Sequence, residues 1–323
     1  MTQPPAYTFT RYLAAKQSVD DRALNAHVWS TLQRALKQRA APAPLAILEI
    51  GAGIGTMVER LLATGSLPPA QYALLDAAPE HLTVAQARLT DWARQRGGQA
   101  AETTPASPFT LPPASTFNLV VPGAAPLALV TYPLDLFAFL DAAGPTPVVD
   151  LLIAHAFMDL VDVPATLARL RPILRPGALL YLTINFDGAT LLLPEVDAAL
   201  DAEIERRYHA TMDNRRIAGR LSGDSRTGRR LFHHLRAAGI QVLDAGSSDW
   251  VVIPHNGSYP DDEAYFLHFI INTMEGALRS DPGLDSARFA AWIAERHAQV
   301  ERGELVYIAH QLDYLARYDP VST

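Results

Sequence analysis

The sequence predicts an α/β fold in three layers, with a mostly parallel β-sheet between two layers of helices. Apolar runs typical of buried strands alternate with amphipathic helical patterns, of which 162–174 is the clearest. The strand-like runs lie at 45–48, 72–75, 127–131, 151–154 and 179–184. Because parallel strands of one sheet are joined by right-handed crossovers, this alternation favours helices on both faces.

The first strand-like run leads directly into a glycine-rich turn. Glu49 follows the run, and Gly51, Gly53 and Gly55 occupy alternate positions before a helical pattern begins. Glycine lets the backbone turn tightly and lets a ligand approach where a Cβ would block it. The sequence therefore predicts a loop that holds a nucleotide-like cofactor.

Polar residues also follow the other strand-like runs. Open parallel sheets bind ligands outside the carboxyl ends of their strands. Asp76 ends the second run, and its carboxylate could accept hydrogen bonds from a ribose diol or could cap the helix that opens at 77–80. Asp135 and Leu136 follow the third run, and the fourth continues into His155 and Asp159.

The register of the glycines separates two classes of cofactor. A nicotinamide fingerprint, Gly-x-Gly-x-x-Gly, would require a third glycine at position 56, where the chain has Thr56. A nicotinamide oxidoreductase is therefore the less favoured interpretation. Glu49, the three alternate glycines and Asp76 together resemble the first motif and the ribose-binding acid of class I S-adenosylmethionine-dependent methyltransferases.

This resemblance covers roughly residues 45–255 and 303–316, and it implies a Rossmann-like, mostly parallel seven-stranded sheet with an antiparallel terminal strand. Residues 239–243 and 304–312 resemble the family's sixth and seventh strands. It also implies S-adenosylmethionine as the cofactor, with Asp135 and Leu136 near the adenine and 154–159 as the fourth motif. The predicted cofactor-binding residues are Arg11, Lys16, Glu49, Gly51, Ala52, Gly53, Gly55, Asp76, Ala77, Asp135, Leu136, His155, Ala156 and Phe157.

Two residues after the fourth run are candidate catalytic groups. His155 is placed where the sulfonium of the cofactor is expected, and a neutral imidazole accepts a proton near pH 7. Asp159 has a similar position. A structural histidine that makes satisfied hydrogen bonds is the alternative for His155.

The chain divides into an N-terminal helical segment, 1–44, expected to cover the site, and a methyltransferase domain, 45–323. One helix is predicted over 18–37, with Ser18 as its N-cap, followed by a proline-punctuated linker at 41–44. Arg11, Tyr12 or Lys16 either reaches the methionine carboxylate or the acceptor, or lies on a solvated helix face. An extra strand at 117–121 is expected within a surface excursion over 98–126.

Helical inserts are predicted at about 188–230 and 256–302, where they would cap the mouth of the sheet. Their aromatic residues either line an apolar pocket or form ordinary core, namely Tyr208, Tyr265, Phe266, Phe269 and Trp292. An arginine-rich run at 215–230 either recognises anions or lies exposed and pairs with Asp213 and Asp224.

Composition excludes several classes of function. The chain has no cysteine, which rules out disulfides, thiolate zinc sites and cysteine nucleophiles, and no metal site is predicted. A net charge of −7 disfavours nucleic acid as a partner. The sequence shows neither a membrane-spanning run nor a secretory signal, so a cytoplasmic protein without membrane contact is expected.

The favoured function is methyl transfer from S-adenosylmethionine to oxygen, nitrogen or carbon of a small-molecule acceptor, by a monomer or a homodimer. The motif Asn-Pro-Pro-Tyr does not follow the fourth run, which disfavours the branch that methylates amino groups of adenine or glutamine. A non-catalytic protein of the same fold that binds the cofactor or its product is the alternative.

Overall fold

The computed structural model describes residues 7–39, 44–102, 107–217 and 219–320. Its main sheet has ten strands, and a separate two-stranded hairpin follows α8. The strands are β1 (Leu45–Ile50), β2 (Ala70–Asp76), β3 (Gln99–Glu102), β4 (Ser115–Val120), β5 (Leu127–Pro133), β6 (Val149–His155), β7 (Leu174–Leu193), β8 (Arg216–Ile217), β9 (Arg220–Leu221), β10 (Ile240–Ser247), β11 (Trp250–Val252) and β12 (Val306–Tyr318).

Eleven α-helices accompany these strands in the described residues, together with 3-10 turns at Met158–Leu160 and Arg171–Ile173. The helices are α1 (Phe9–Ala15), α2 (Gln17–Ala23), α3 (Ala26–Gln38), α4 (Thr56–Ala63), α5 (Pro79–Gln95), α6 (Leu136–Ala143), α7 (Val163–Leu170), α8 (Ala198–Asp213), α9 (Thr227–Ala237), α10 (Glu263–Leu278) and α11 (Ser286–Glu301).

The sheet has the order β10-β12-β7-β6-β1-β2-β5-β4-β3. Strands β5, β2, β1, β6 and β7 are parallel, and β12 runs antiparallel between β7 and β10. The predicted Rossmann-like α/β fold and its antiparallel terminal strand are confirmed. Strand order reverses between β1 and β6, which is where an open sheet leaves a crevice for a ligand.

The predicted count of seven strands is wrong. The hairpin β3–β4 adds two antiparallel strands beside β5, and β11 pairs with β12. The strand expected at 117–121 is part of β4, although 103–106, within the excursion, are outside the described residues. β7 is also longer than predicted, because it continues to Leu193 and pairs with β12 along most of its length.

Helices cover both faces of the sheet. Alternate residues of β1 point to opposite sides, with Ile47 packing on the side of α3, α4 and α5 and Leu48 on the side of α6, α7 and α9. A third apolar cluster lies apart from these two and joins α2, α10, α11 and β11. The predicted three-layer arrangement is therefore observed, with an additional core beneath the inserted helices.

The single helix predicted over 18–37 is wrong, because it is broken into α2 and α3. Asn25, and not Ser18, is the N-cap of α3, and its side chain accepts from the amides of His27 and Val28. The backbone amide of Asn25 donates to the buried Asp313 carboxylate at 2.8 Å. A tertiary contact therefore fixes this break, which helical periodicity alone does not reveal. Residues 41–43 of the predicted linker lie outside the described residues.

Within the described residues, no helix is both long and apolar enough to cross a membrane.

Candidate active site

The glycine loop between β1 and α4 adopts a conformation that other residues rarely tolerate. Gly51, Gly53 and Gly55 have φ angles of 65°, 53° and 79°, in the left-handed region. A Cβ on Gly51 would lie 2.6 Å from Cδ2 of Phe157, so this position requires glycine for space as well. The loop is held from below, because the amide of Gly53 donates to Oδ2 of Asp76 at 2.8 Å.

A cavity of about 580 Å³ opens at the carboxyl ends of the parallel strands. Its size is typical of sites for cofactors and small ligands. Eleven of the predicted site residues line it, namely Lys16, Gly51, Gly53, Asp76, Ala77, Asp135, Leu136, His155, Ala156, Phe157 and Asp159. The topology of the sheet therefore places these residues, most of which the sequence analysis located at the ends of different strands, around one cavity.

Four predicted residues are absent from the described lining of this cavity: Arg11, Glu49, Ala52 and Gly55. Arg11 points outward and forms two hydrogen bonds of 3.0 Å to Asp262, so it does not reach the cavity. Glu49 is buried beneath the loop, where it accepts a hydrogen bond of 2.7 Å from the Tyr72 hydroxyl. Gly55 is the N-cap of α4.

Asp76 and Asp135 both stabilise the turns that follow their strands. Besides Gly53, Asp76 accepts from the amide of Ala78 at 2.9 Å and contacts Nδ1 of His81 at 3.0 Å. Asp135 is the N-cap of α6 and accepts from the amide of Phe137. Each carboxylate oxygen can accept two hydrogen bonds, so Oδ2 of Asp76 keeps capacity for a ligand hydroxyl.

A buried carboxylate, Asp20, lies behind the floor of the cavity and joins four segments. Its Oδ2 atom is 3.0 Å from Nζ of Lys16 and 3.0 Å from Nε2 of His155. Its Oδ1 atom accepts from Nε1 of Trp250 at 2.8 Å. Burial alone would raise the pKa of Asp20, but Lys16 and His155 hold it below its usual range. Arg60 of α4 adds a weaker attraction at 3.9 Å.

Both ring nitrogens of His155 have partners. Burial lowers the pKa of His155 to about 4, even though Asp20 acts in the opposite direction. The neutral ring donates its Nε2 proton to Asp20, so Nδ1 accepts from the Thr183 hydroxyl at 2.8 Å. No nitrogen lone pair of this tautomer is directed to the cavity.

Asp159 differs from His155 in its hydrogen bonding, because one of its two carboxyl oxygens has no partner in the described part of the chain. Its Oδ1 atom is buried and has no hydrogen-bond partner among the described residues. Burial raises the pKa of Asp159 to about 6, while its own backbone amide and the Arg215 guanidinium lower it. An unpaired, buried carboxyl that lines a cavity is costly in a folded protein, and such groups are frequent at functional sites.

Part of the cavity lining comes from segments that follow β6 in the sequence. We call this the insert wall; it consists of Phe186, Thr190, Tyr208, Met212, Arg215 and Tyr307. Of the aromatic residues predicted to form either pocket or core, Tyr208 and Phe269 line the cavity. Phe266 and Trp292 are buried in the third apolar cluster. The hydroxyl of Tyr265 accepts from the amide of Thr8.

Helices α1, α2 and α10 form a cap over the glycine loop. Glu263, at the start of α10, is fully buried and accepts two hydrogen bonds from Arg22, at 2.6 and 2.9 Å. Ser18 donates a third at 2.7 Å. On the inner side of the cap, Tyr12 stacks on Phe269 with ring centroids 4.1 Å apart. Two segments that are far apart in the sequence therefore close the cavity together.

Sequence reasoning missed Asp20, Trp250 and Gln311 as residues of this region. Asp20 occurs in an ordinary amphipathic pattern, and its partner His155 lies 135 positions later. Nothing local in the sequence indicates that contact. The 215–230 run was predicted to be exposed or to recognise anions, and Arg215 lines the cavity while Arg230 pairs with Asp224 at 2.6 Å. The described residues contain no group of three or more histidine or acidic side chains suited to a metal ion.

No family profile and no curated protein matches the sequence. Solved structures with a similar fold include a putative type II methyltransferase from Anaeromyxobacter dehalogenans, which is 19% identical in sequence. The alignment covers 90% of this chain and 96% of that chain, with a TM-score of 0.45. A cyclopropane synthase from Mycobacterium tuberculosis has 10% identity, coverage of 97% and 100%, and a TM-score of 0.42.

A SAM-dependent methyltransferase from Methanosarcina mazei has 13% identity, coverage of 86% and 94%, and a TM-score of 0.41. Two of these three structures are described as methyltransferases, one of them as putative.

Proposed function

We propose that this protein transfers a methyl group from S-adenosylmethionine to a small-molecule acceptor. The observation that carries the proposal is one cavity whose lining combines the glycine loop, the strand ends and the insert wall. Residues suited to a cofactor and residues suited to an acceptor therefore line the same space.

The residues at the strand ends fit the cofactor. Asp76 has an oxygen with remaining acceptor capacity for a ribose hydroxyl, and Leu134 and Leu136 offer apolar surface next to it for a flat base. Lys16 lines the cavity and is buried, and it has donors beyond the one directed to Asp20, so it can bind a carboxylate. Arg11 has no part in this proposal, because it is held by Asp262.

When bound, the cofactor supplies an activated methyl group, which moves to the acceptor as its bond to sulfur breaks. The protein then has to orient the acceptor, exclude water and take up any proton that the acceptor loses. We assign the proton to Asp159, because its Oδ1 atom has no partner. His155 instead acts as a positioning residue that keeps Asp20 and the end of β6 in place.

Calorimetric titration with S-adenosylmethionine, S-adenosylhomocysteine and NAD tests the cofactor. We expect saturable binding of the first two only, and saturable binding of NAD alone would refute the proposal. Incubation with labelled S-adenosylmethionine and a broad pool of small acceptors tests the reaction. Cofactor binding without any methyl transfer to that pool would favour the non-catalytic alternative.

A further inference from the structure

The insert wall contains a charged side chain that lacks a partner. Among the charged residues that line the cavity, Lys16 pairs with Asp20, Asp76 holds the glycine loop, and Asp135 caps α6. Arg215 makes no side-chain hydrogen bond and no ion pair with any described residue. A guanidinium has five donors, so an unpaired arginine on the cavity wall can bind an anionic group of a ligand.

The backbone around Arg215 is fixed to the turn that carries Asp159. The Arg215 carbonyl accepts from the amide of Ser222 at 2.8 Å, and the Ser222 hydroxyl donates to the carbonyl of Leu160 at 2.7 Å. Gly223 lies so close that a Cβ would be 2.8 Å from the Asp159 carbonyl oxygen. The position of the arginine is therefore coupled to that of the acid, although the two are 56 positions apart in the sequence.

Asp159 and Arg215 act on each other electrostatically but do not form an ion pair. The guanidinium lowers the pKa of the Asp159 carboxyl, yet the two side chains are not within the 4.0 Å of a salt bridge. Arg215 on the insert wall and Asp159 in the turn after β6 both keep unused hydrogen-bonding capacity. This arrangement suits a ligand with an anionic group at Arg215 and a proton donor at Asp159.

Neutral donors surround the same space. The hydroxyls of Tyr12, Tyr208 and Tyr307 have no hydrogen-bond partner within the described part of the chain, and all three rings line the cavity. Burial is the main cause that raises the pKa of Tyr208 to about 12, so this phenol stays protonated at neutral pH. Phe186 and Met212 supply apolar surface nearby. The insert wall, together with Tyr12, thus offers one cation, neutral donors and an apolar surface.

We propose that the acceptor is a hydroxylated carboxylic acid with an apolar body, whose carboxylate binds Arg215 and whose hydroxyl faces Asp159. A single guanidinium opposite a carboxyl balances one negative charge, which favours a carboxylate over a doubly charged phosphate ester. The inference rests on the proposed function, because it assigns the substrate class of the same cavity.

Binding measurements in saturating S-adenosylhomocysteine test the proposal. The probes are hydroxylated carboxylic acids with apolar bodies, such as 4-hydroxybenzoate, each compared with its primary amide and with the phosphate ester of the same skeleton. We expect acids to bind tighter than amides and phosphates. Arg215→Gln should weaken binding of the acids roughly 10- to 100-fold, the effect of losing charge-assisted hydrogen bonds, and leave the amides unchanged.

Two further variants separate charge from structure. Arg215→Lys keeps the charge and should retain part of the affinity for the acids. Arg216→Gln removes an exposed arginine of the same hairpin, whose side chain donates to the Gly219 carbonyl and to no other described residue, and should behave like the unmodified protein. Every variant should bind S-adenosylhomocysteine with unchanged affinity.

The possible failures are distinguishable. If the unmodified protein does not bind S-adenosylhomocysteine, the proposed function is wrong. If it does, but acids and amides bind equally or Arg215→Gln has no effect on the acids, only the assignment of a carboxylate acceptor is overturned. Preferential binding of the phosphate esters would also overturn it.

Discussion

The Nε2 atom of His155, at the end of β6, lies 3.0 Å from Oδ2 of Asp20 on α2. This contact links the strand end at the floor of the cavity to the segment that covers it. Because Lys16 and Trp250 bind the same carboxylate, one acidic side chain sets the relative positions of the cap, the sheet and β11. Asp20 is 1% exposed, so these contacts are shielded from bulk water.

Replacement of Asp20 should destabilise the protein strongly. Asp20→Ala leaves the buried Lys16 ammonium without its partner, and breaking a buried ion pair from one side costs about 3–5 kcal/mol. Urea unfolding measures the loss. The control is Asp141→Ala, which removes an acid whose ion pair with Arg169 is exposed at both ends, and should cost less than about 1 kcal/mol. Equal effects of the two substitutions would contradict the central role of Asp20.

Two arginines of the N-terminal segment bind consecutive acids of the cap, and their removal should have unequal effects. Arg22 binds the fully buried Glu263, whereas Arg11 binds Asp262, which is 47% exposed. Arg22→Ala leaves a buried carboxylate short of donors, so hydrogen exchange of α1 and α2 should accelerate. Arg11→Ala should change exchange little, because exposed ion pairs contribute little stability. Faster exchange after Arg11→Ala alone would refute this account of the cap.

Glu49 should make stability fall as the pH rises. Burial raises the pKa of Glu49 to about 8 in the folded protein, whereas the pKa of a glutamate in the unfolded chain is about 4.3. Between these values the folded state binds the extra proton, so the free energy of unfolding falls with increasing pH, by at most about 1.4 kcal/mol per pH unit. Glu49→Gln stays neutral and should lack this contribution.

Unfolding of Glu49→Gln and of the unmodified protein at about pH 5 and about pH 8 measures the difference. The variant should gain stability relative to the unmodified protein as the pH increases. Glu80→Gln, which changes an exposed glutamate at the start of α5, serves as the control. Parallel stability profiles for Glu49→Gln and the unmodified protein would show that Glu49 is ionised in the folded state.

Asp76→Asn should weaken binding of S-adenosylhomocysteine by about 1–3 kcal/mol, since hydrogen bonds to a charged group are lost. Asp76 also holds the glycine loop, so thermal unfolding must accompany the titration. Asp162→Asn provides the control for a helix-capping acid, because Asp162 caps α7 by accepting from Ala165 at 3.1 Å and does not line the cavity. Unchanged affinity of Asp76→Asn would place the ribose elsewhere.

Asp159 and His155 should differ in kinetics once an acceptor is known. Asp159→Asn removes the proposed proton acceptor and should reduce the single-turnover rate roughly 10²- to 10⁴-fold, with cofactor affinity unchanged. The loss should become smaller with acceptors of lower pKa, which a purely structural role would not produce. His155→Gln should affect stability more than the dependence of the rate on acceptor pKa. The reverse pattern would restore His155 as the base.

The parallel core was predictable because each of its strands contains a short apolar run, and β1 and β2 end at a glycine and an acid, respectively. The break at Asn25 and the pairing of β11 with β12 were not, because both depend on contacts between distant residues. Asp313 illustrates the difficulty: its carboxylate binds the amides of Asn25 and Ile184, neither of which lies near it in sequence. Local periodicity cannot report such contacts.

The cavity residues at strand ends were predictable from the sequence, whereas those positioned by contacts between distant residues were not. Asp76, Asp135 and His155 follow strands directly, so the topology of the sheet places them on one edge. The contribution of Arg215 depends on a hairpin whose position is set by Ser222 and Gly223. Arg11 had the same appearance in the sequence as Lys16, but the helix turns the two side chains in different directions, and only Lys16 lines the cavity.

Strand β12 has a consequence for how the chain matures during synthesis. Its hydrogen-bonding partners β7, β10 and β11 all precede it, so none of them completes its pairing until residues 306–318 have emerged. Asp313, which anchors the amide of Asn25, arrives with this strand. The junction between α2 and α3 is therefore synthesised early, but its contact with Asp313 forms only after β12 has been synthesised. An incomplete chain would expose unpaired strand edges, and exposed strand edges promote aggregation.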